Sequence, residues 1–356
     1  MRPLNIAIRA FASAAIISTG CAATATDFPE PVTDTYVIEN FTFHTGEVMP
    51  EMRVSYTTVG DPSGEPVLML HGTTGSARSM LSDGFAGALY GPGQPLDATR
   101  YFIIIPNTIG TGDSSKPSDG LRAAFPEYNY VDMVEAQHDL LTNHLGIDHL
   151  RLVMGNSMGG MLTWTWGIEY PDFMDALVPM ASLPGPMSGR NWMMRRMLID
   201  SVRNDPTWNG GDYTEQPPAL RVANVWFSVA TSNGEKRLAA IGNTREAADA
   251  YLDKRLAEGT APDAKDAMYQ WNASRDFDPV PDLGKIEAAL LVINSEDDER
   301  NPPELDTLAN GMAAIGHGEV YIIPATDETS GHGTTGSMAA LYAEPLAAFL
   351  EAAPNR

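Results

Sequence analysis

Three short runs constrain this chain more than any other feature: PVLMLHG (residues 66–72), YFIIIPN (101–107) and LRLVMGN (150–156). Each is apolar without alternation and each stops at Gly or Asn. Both faces of such a run must be dry, which suits parallel strands covered by helices on either side. Between the last two lies YVDMVEAQHDLLTNHLGI (130–147), whose apolar residues recur at helical spacing and whose Gly146 suits a C-cap. AALLVINS (288–295) and EVYIIPA (319–325) read as two later strands, and SMAALYAEPLAAFLEAA (337–353) as a closing helix. Upstream, YVIENFTF (36–43) and MRVSYTTVG (52–60) alternate and predict a strand pair turning near Gly46. Strands alternating with helices predict a doubly wound, mostly parallel α/β sheet.

That rhythm breaks between about Pro186 and Pro281. Amphipathic pieces such as NWMMRRMLIDSV and EAADAYLDKRLAEG stand there without a strong strand run. We expect a helical insertion, a lid, over the carboxyl edge of the sheet, where α/β sheets bind ligands. The expected organisation is a signal peptide at 1–25, a first core part at 26–185, the lid at 186–281 and a second core part at 282–356. The signal reading rests on Arg2 and Arg9 ahead of AFASAAIISTG, a run too short for a permanent span. Cleavage after Ala25 competes with lipidation of Cys21, and the first is favoured because Ser18 stands where a lipoprotein site has a larger aliphatic residue. Export to the periplasm or beyond is the expectation. Cys21 is the one cysteine, which excludes an intrachain disulfide, a cysteine metal site and a thiol nucleophile. The formal charge of −23 repels phosphate backbones, so nucleic acid is an unsuited partner. We expect no cofactor and no metal, since the acidic residues lack the spacing of a calcium loop.

The string GNSMG places Ser157 in a G-x-S-x-G pattern after a buried strand and before a helix-forming stretch. A tight strand-to-helix turn would expose its hydroxyl at a helix N-terminus, where free N–H groups favour developing negative charge. The plainer alternative is a turn serine that caps a helix. HGTTGS (71–76) stands where an oxyanion loop would, so the backbone N–H groups of Thr73 and Met158 are the expected oxyanion donors. His71 is read as a structural residue of that loop. A serine nucleophile needs a base and the base needs a carboxylate. His332, in the glycine-flanked SGHGTTG after the last strand, is the expected base; His317 stands at that strand's other end. The acid should follow AALLVINS among Glu296, Asp297, Asp298 and Glu299. Asp298 is the first choice because two prolines then fix the path of the loop, and Asp297 the second; the others are expected to form a solvated acidic turn.

Together these residues resemble the homoserine O-acetyltransferase family of α/β-hydrolase-fold proteins. The likeness rests on FHTGEVMPEMRVSYTTVG, PNTIGTGDSSKPS, the GNSMGGM elbow, the lid stretch DPTWNGGDY with PPALRVA, and the acid loop DDERNPPE. It implies the α/β-hydrolase fold, puts the acid on Asp298, and suggests a homodimer paired through the lids. PNTIGTGDSSKPS resembles the family's Asn-Gly loop, and Asn107 in it is a candidate substrate contact. In the lid, Asn224 stands where the family offers an arginine to the substrate carboxylate, and nearby Arg221 is its possible substitute. Gly333 follows His332 where the family has an aspartate for the amino group. Lacking both partners, the site is expected to bind a zwitterion poorly. The reading is therefore an exported serine hydrolase cleaving an ester, thioester or lactone, with an O-acyltransferase or a silent binding module as alternatives. Met187, Trp192, Met193, Met194 and Met197 are candidates for an apolar acyl pocket, set against plain helix packing.

Overall fold

The computed structural model describes residues 28–258 and 262–355. The expected signal segment and Cys21 lie outside the described residues. Eight strands form one sheet in the order β1-β2-β4-β3-β5-β6-β7-β8. β1 (Val32–Thr42) and β2 (Val48–Val59) make an antiparallel hairpin turning at Gly46, and β2 joins β4 (Tyr101–Pro106) antiparallel. From β4 onward, through β3 (Glu65–Leu70), β5 (Leu150–Asn156), β6 (Met174–Met180), β7 (Ala289–Ser295) and β8 (Glu319–Ile323), every pairing is parallel.

Successive residues of the central strands serve opposite faces, as the period of two requires. Leu68, Leu70, Ile104 and Val153 pack beneath helices Tyr130–Asp139 and Met158–Glu169. Val67, Met69, Ile103 and Leu152 pack on the other side, where the closing helix Ala343–Ala352 contributes Leu346 and Leu350. Both faces are therefore dry, which is why these strands read as unbroken apolar runs.

β6 is the strand that apolar patterning did not predict. Its sequence MDALVPM holds Asp175 and Pro179, an acid and a residue that normally argues against a central strand. Asp175 is nonetheless accommodated, with His149 Nε2 at 2.9 Å and Arg151 Nη1 at 3.5 Å. The hairpin also begins earlier than alternation suggested, at Val32 rather than near Tyr36.

Between β6 and β7 the chain leaves the sheet and forms helices Gly189–Arg203, Pro218–Thr231, Glu235–Ile241, Arg245–Ala257 and Ala264–Asn272. The insertion has a small core of its own, built on Leu198, Ile199, Val202, Leu220, Phe227 and Trp271. Among the described residues no helix is long and apolar enough to cross a membrane.

Candidate active site

Because β3, β5, β7 and β8 run parallel, their carboxyl ends share one edge, and the segments that leave it can meet there. After β5 the chain turns abruptly into helix Met158–Glu169, and Ser157 between them holds φ 59° and ψ −110°. A non-glycine residue with that φ is strained and persists only where its surroundings fix it. Gly155 and Gly159 are why the turn can be so tight. A Cβ on Gly155 would sit 2.2 Å from the Gly159 carbonyl oxygen, and one on Gly159 would sit 2.1 Å from that of Leu70. The Ser157 N–H donates to Met180 O at 2.9 Å, tying the elbow to β6.

Ser157 Oγ lies 2.7 Å from His332 Nε2. His332 Nδ1 lies 2.9 Å and 3.0 Å from the two carboxylate oxygens of Asp298. The structure thus brings together three residues separated by up to 175 positions and joins them in series. All three are buried, Asp298 most completely at 1% exposure. Burial works to raise the Asp298 carboxyl, but the facing imidazole and the donors Asn301 Nδ2 and Arg300 N–H outweigh it and hold the group below its ordinary range. Burial pushes the His332 imidazole below its ordinary value, against the pull of Asp298. In this arrangement a neutral imidazole, oriented by a charged carboxylate, faces a hydroxyl whose proton it can accept.

Met158 occupies the first position of the elbow helix, where a backbone N–H has no intrahelical acceptor. The HGTTGS loop approaches from β3: a Cβ on Gly72 would lie 3.5 Å from Ser157 Cβ, so Thr73 follows directly beside Ser157. The buried Thr73 hydroxyl has no hydrogen-bond partner. His71 is sealed in this loop. Its Nε2 accepts from Thr108 N–H at 3.2 Å and burial lowers its pKa to about 4, which suits a neutral bracing imidazole. His317 sits far off, its Nε2 donating to Ala288 O.

Among the described residues none of the candidate substrate residues is hydrogen-bonded to Ser157, His332 or Asp298. Asn107 is used inside the fold, its Oδ1 accepting from Ala77 N–H at 2.8 Å and its Nδ2 donating to Ser55 Oγ at 2.7 Å. Arg221 lies on the exposed face of helix Pro218–Thr231 and donates to Leu256 O. Asn224 is half-buried on the same helix. Met193 and Met197 point outward, 68% and 55% exposed, and so do not line an acyl pocket; Met187 and Met194 pack against the two cores, and Trp192 is half-buried.

The acidic loop also differs from expectation. Rather than forming a solvated turn, its acids brace the histidine. Asp297 Oδ2 accepts from Thr329 Oγ1 and Gly331 N–H, and Glu299 accepts from the N–H groups of Gly234 and His332. Glu296 is exposed but accepts from Ala325 N–H. Asn301, unnoticed in the sequence, bridges Asp298 to Ala181 O. Four consecutive acids were the available signal, but their partners come from segments far away in the chain. Among the described residues no group of three or more His, Cys, Asp or Glu could hold a metal ion. A cleft of about 500 Å³ lined by Tyr128, Trp208, Lys265 and Tyr269 includes none of the three serially bonded residues.

A family model described as the alpha/beta hydrolase fold matches residues 65–327. A probable acyltransferase from Methanothermobacter thermautotrophicus is 30% identical over 281 residues, 77% of this chain and 85% of that protein. A homoserine O-acetyltransferase from Thermobifida fusca is 30% identical over 339 residues, covering 83% and 87%. One from Haemophilus influenzae is 39% identical over 190 residues, a match that spans only 52% of that protein. Among solved structures, an acetylester hydrolase from Corynebacterium glutamicum superposes with TM-score 0.76 at 21% identity, covering 90% of this chain and 96% of that one. A homoserine O-acetyltransferase from Bacillus anthracis gives 0.78 at 22%, covering 90% and 97%.

Proposed function

Since this chain belongs to the α/β-hydrolase fold family and is related to the homoserine O-acetyltransferases, we propose that it is an exported serine hydrolase of carboxylic esters, thioesters or lactones. The observation that carries this reading is the 2.7 Å contact of Ser157 Oγ with an imidazole held on its other side by Asp298. His332 takes the Ser157 proton as Oγ bonds to the acyl carbon. It returns that proton to the leaving oxygen or sulfur as the bond to the acyl carbon breaks. Water then adds with the same histidine as base, and Ser157 recovers its proton as the acid departs. Asp298 keeps Nδ1 protonated and stabilises the imidazolium. The backbone N–H groups of Thr73 and Met158 receive the oxyanion, each worth ~10²- to 10³-fold in rate.

Transfer to an alcohol is the second reading, and the relatives' names favour it. Against it stand the export reading, since an exported enzyme meets abundant water and little cytoplasmic thioester, and Gly333, which offers no carboxylate to an amino group. Purified protein should cleave p-nitrophenyl acetate and be labelled at Ser157 by a fluorophosphonate; failure of both would overturn the enzyme reading. Added homoserine or another alcohol should leave the free acid as the main product, whereas diversion of the acyl group to the alcohol would favour transfer. Pairing of two chains through the insertion is supported by the exposed apolar pairs Met193 with Met197 and Val222 with Trp226 on neighbouring helices.

A further inference from the structure

Two guanidinium groups stand close to the histidine, and neither is ion-paired among the described residues. Arg195 is 0% exposed. Its Nε donates to Asn191 Oδ1 at 2.9 Å and its Nη1 to Ser274 Oγ at 3.2 Å, both neutral, while its buried Nη2 has no partner. Arg300 follows Asp298 by two residues, and its own N–H donates to that carboxylate at 2.9 Å. Its guanidinium reaches toward the insertion, bonding Thr231 Oγ1 and Ser232 Oγ, again neutral. Trp271 links the two, with Arg195 5.0 Å from its ring and Arg300 5.8 Å on the same indole. A nearby donor is also orphaned, since Trp271 Nε1 is buried without a partner, while the Tyr130 hydroxyl faces Arg195 and Ser274. A Cβ on Gly333, next to the histidine, would meet Ser232 O at 3.4 Å, so Arg300's anchor adjoins the imidazole.

Buried guanidinium groups are normally paired, because an uncompensated charge away from water is costly. This chain carries 46 acidic residues against 23 basic ones, yet among the described residues no carboxylate is in ion-pair contact with either cation. Asp298 and Glu299 act on the Arg300 guanidinium only through space and are bonded elsewhere, Asp298 to His332 and Glu299 to the N–H of Gly234. Cations with no directly bonded anion beside a reacting centre suit a substrate that brings one with it. We propose that the Arg195–Trp271–Arg300 cluster receives a carboxylate of the ester substrate, so that the enzyme prefers anionic half-esters to neutral esters and to zwitterions. This rests on the hydrolase reading. The carboxylate belongs to either the acyl or the alcohol part, and the two sources are separable.

The test compares kcat/KM for monomethyl glutarate with dimethyl glutarate, and for acetoxyacetate with its methyl ester, in the wild type and in Arg300→Met, Arg195→Met and Arg300→Lys. We expect the wild type to favour the charged member of at least one pair by ~10-fold or more, the size of a charge-assisted hydrogen bond. The responding pair identifies the source of the carboxylate. Arg300→Met should bring that ratio close to one, and Arg300→Lys should restore part of it. Equal use of charged and neutral esters by a wild type labelled at Ser157 would overturn this inference and leave the hydrolase reading standing; absence of both labelling and cleavage would sink the two together. Parallel loss for both members in Arg300→Met, with the ratio unchanged, would make the arginine a brace and overturn the proposal. Should the variants fail to fold, glutarate must slow fluorophosphonate labelling of the wild type while glutaramide does not, and equal effects would count against the proposal.

Discussion

The sheet and the insertion are built by different rules. β4 and β6 hide every residue, and the elbow packs backbone against backbone at Gly155 and Gly159. The insertion's helices bury one stripe in a separate small core and leave Met193, Met197, Val222 and Trp226 between 49% and 68% exposed. Ser157, Asp298 and His332 all stand on the rigid side of that division. Glu299 and Arg300 cross it, since Glu299 holds the N–H of Gly234 and Arg300 holds Thr231 and Ser232. The contrast teaches that the series of hydroxyl, imidazole and carboxylate is held by segments leaving the strand ends, whereas the insertion is built so that it can be repacked.

The hardest test of that division is Ser157→Ala. It should remove ~10⁴-fold or more of p-nitrophenyl ester turnover with little change in thermal stability, and substantial residual turnover by the purified variant would break the assignment. Gly159→Ala attacks the rigid side itself. The added methyl meets the Leu70 carbonyl at 2.1 Å, and overpacking of this kind costs about 1–3 kcal/mol or more, read as a lower denaturant midpoint. On the other side, Leu198→Ala should cost about 2–4 kcal/mol locally. Hydrogen exchange should then quicken in the insertion's helices and stay slow in β3 and β5.

Glu299→Gln probes the crossing. Three backbone N–H groups, those of Asn233, Gly234 and His332, would face an amide instead of a carboxylate, so about 1–2 kcal/mol should be lost and kcat should fall more than KM rises. The pH profile sharpens the same comparison. His332 must be neutral to accept a proton, and burial lowers its pKa, so the acid limb of kcat/KM should have its midpoint below about 6.5. The sign for stability agrees, because both His332 and Asp298 are held below their ordinary values. Their contribution is complete above about pH 6.5 and is lost as the pH falls through the lowered values. An acid limb above about 6.5 would contradict the burial of the imidazole.

Much of the fold was legible in the sequence because a strand buried on both faces must be apolar at every position, and such runs are conspicuous. β6 escaped because Asp175 and Pro179 interrupt its pattern, and partners distant in sequence make the acid tolerable. The elbow was legible for a related reason: a turn with no room for side chains must spell itself in small residues, and GNSMGG does. The choice of His332 over His317 came from chain order alone, since one precedes β8 and the other follows it.

Other assignments depended on contacts that no local pattern encodes. Asn107 looked available to a substrate until its amide was seen spent on Ala77 and Ser55. The methionines of helix Gly189–Arg203 were candidates for an acyl lining or for plain helix packing until the helix's rotation turned Met193 and Met197 outward. By itself the sequence determined the parallel sheet and the strained serine turn, because each is imposed by short-range sterics or by burial on two faces; the order in which acid and histidine follow the serine is what the resemblance to the fold family implies. Only the tertiary structure decided which of the neighbouring acids brace the histidine's loop, and that two arginines lie near it with no carboxylate in ion-pair contact among the described residues. Those outcomes depend on where far-separated segments come to rest, and a side chain's charge does not reveal whether its partner is a carboxylate, a backbone N–H or nothing.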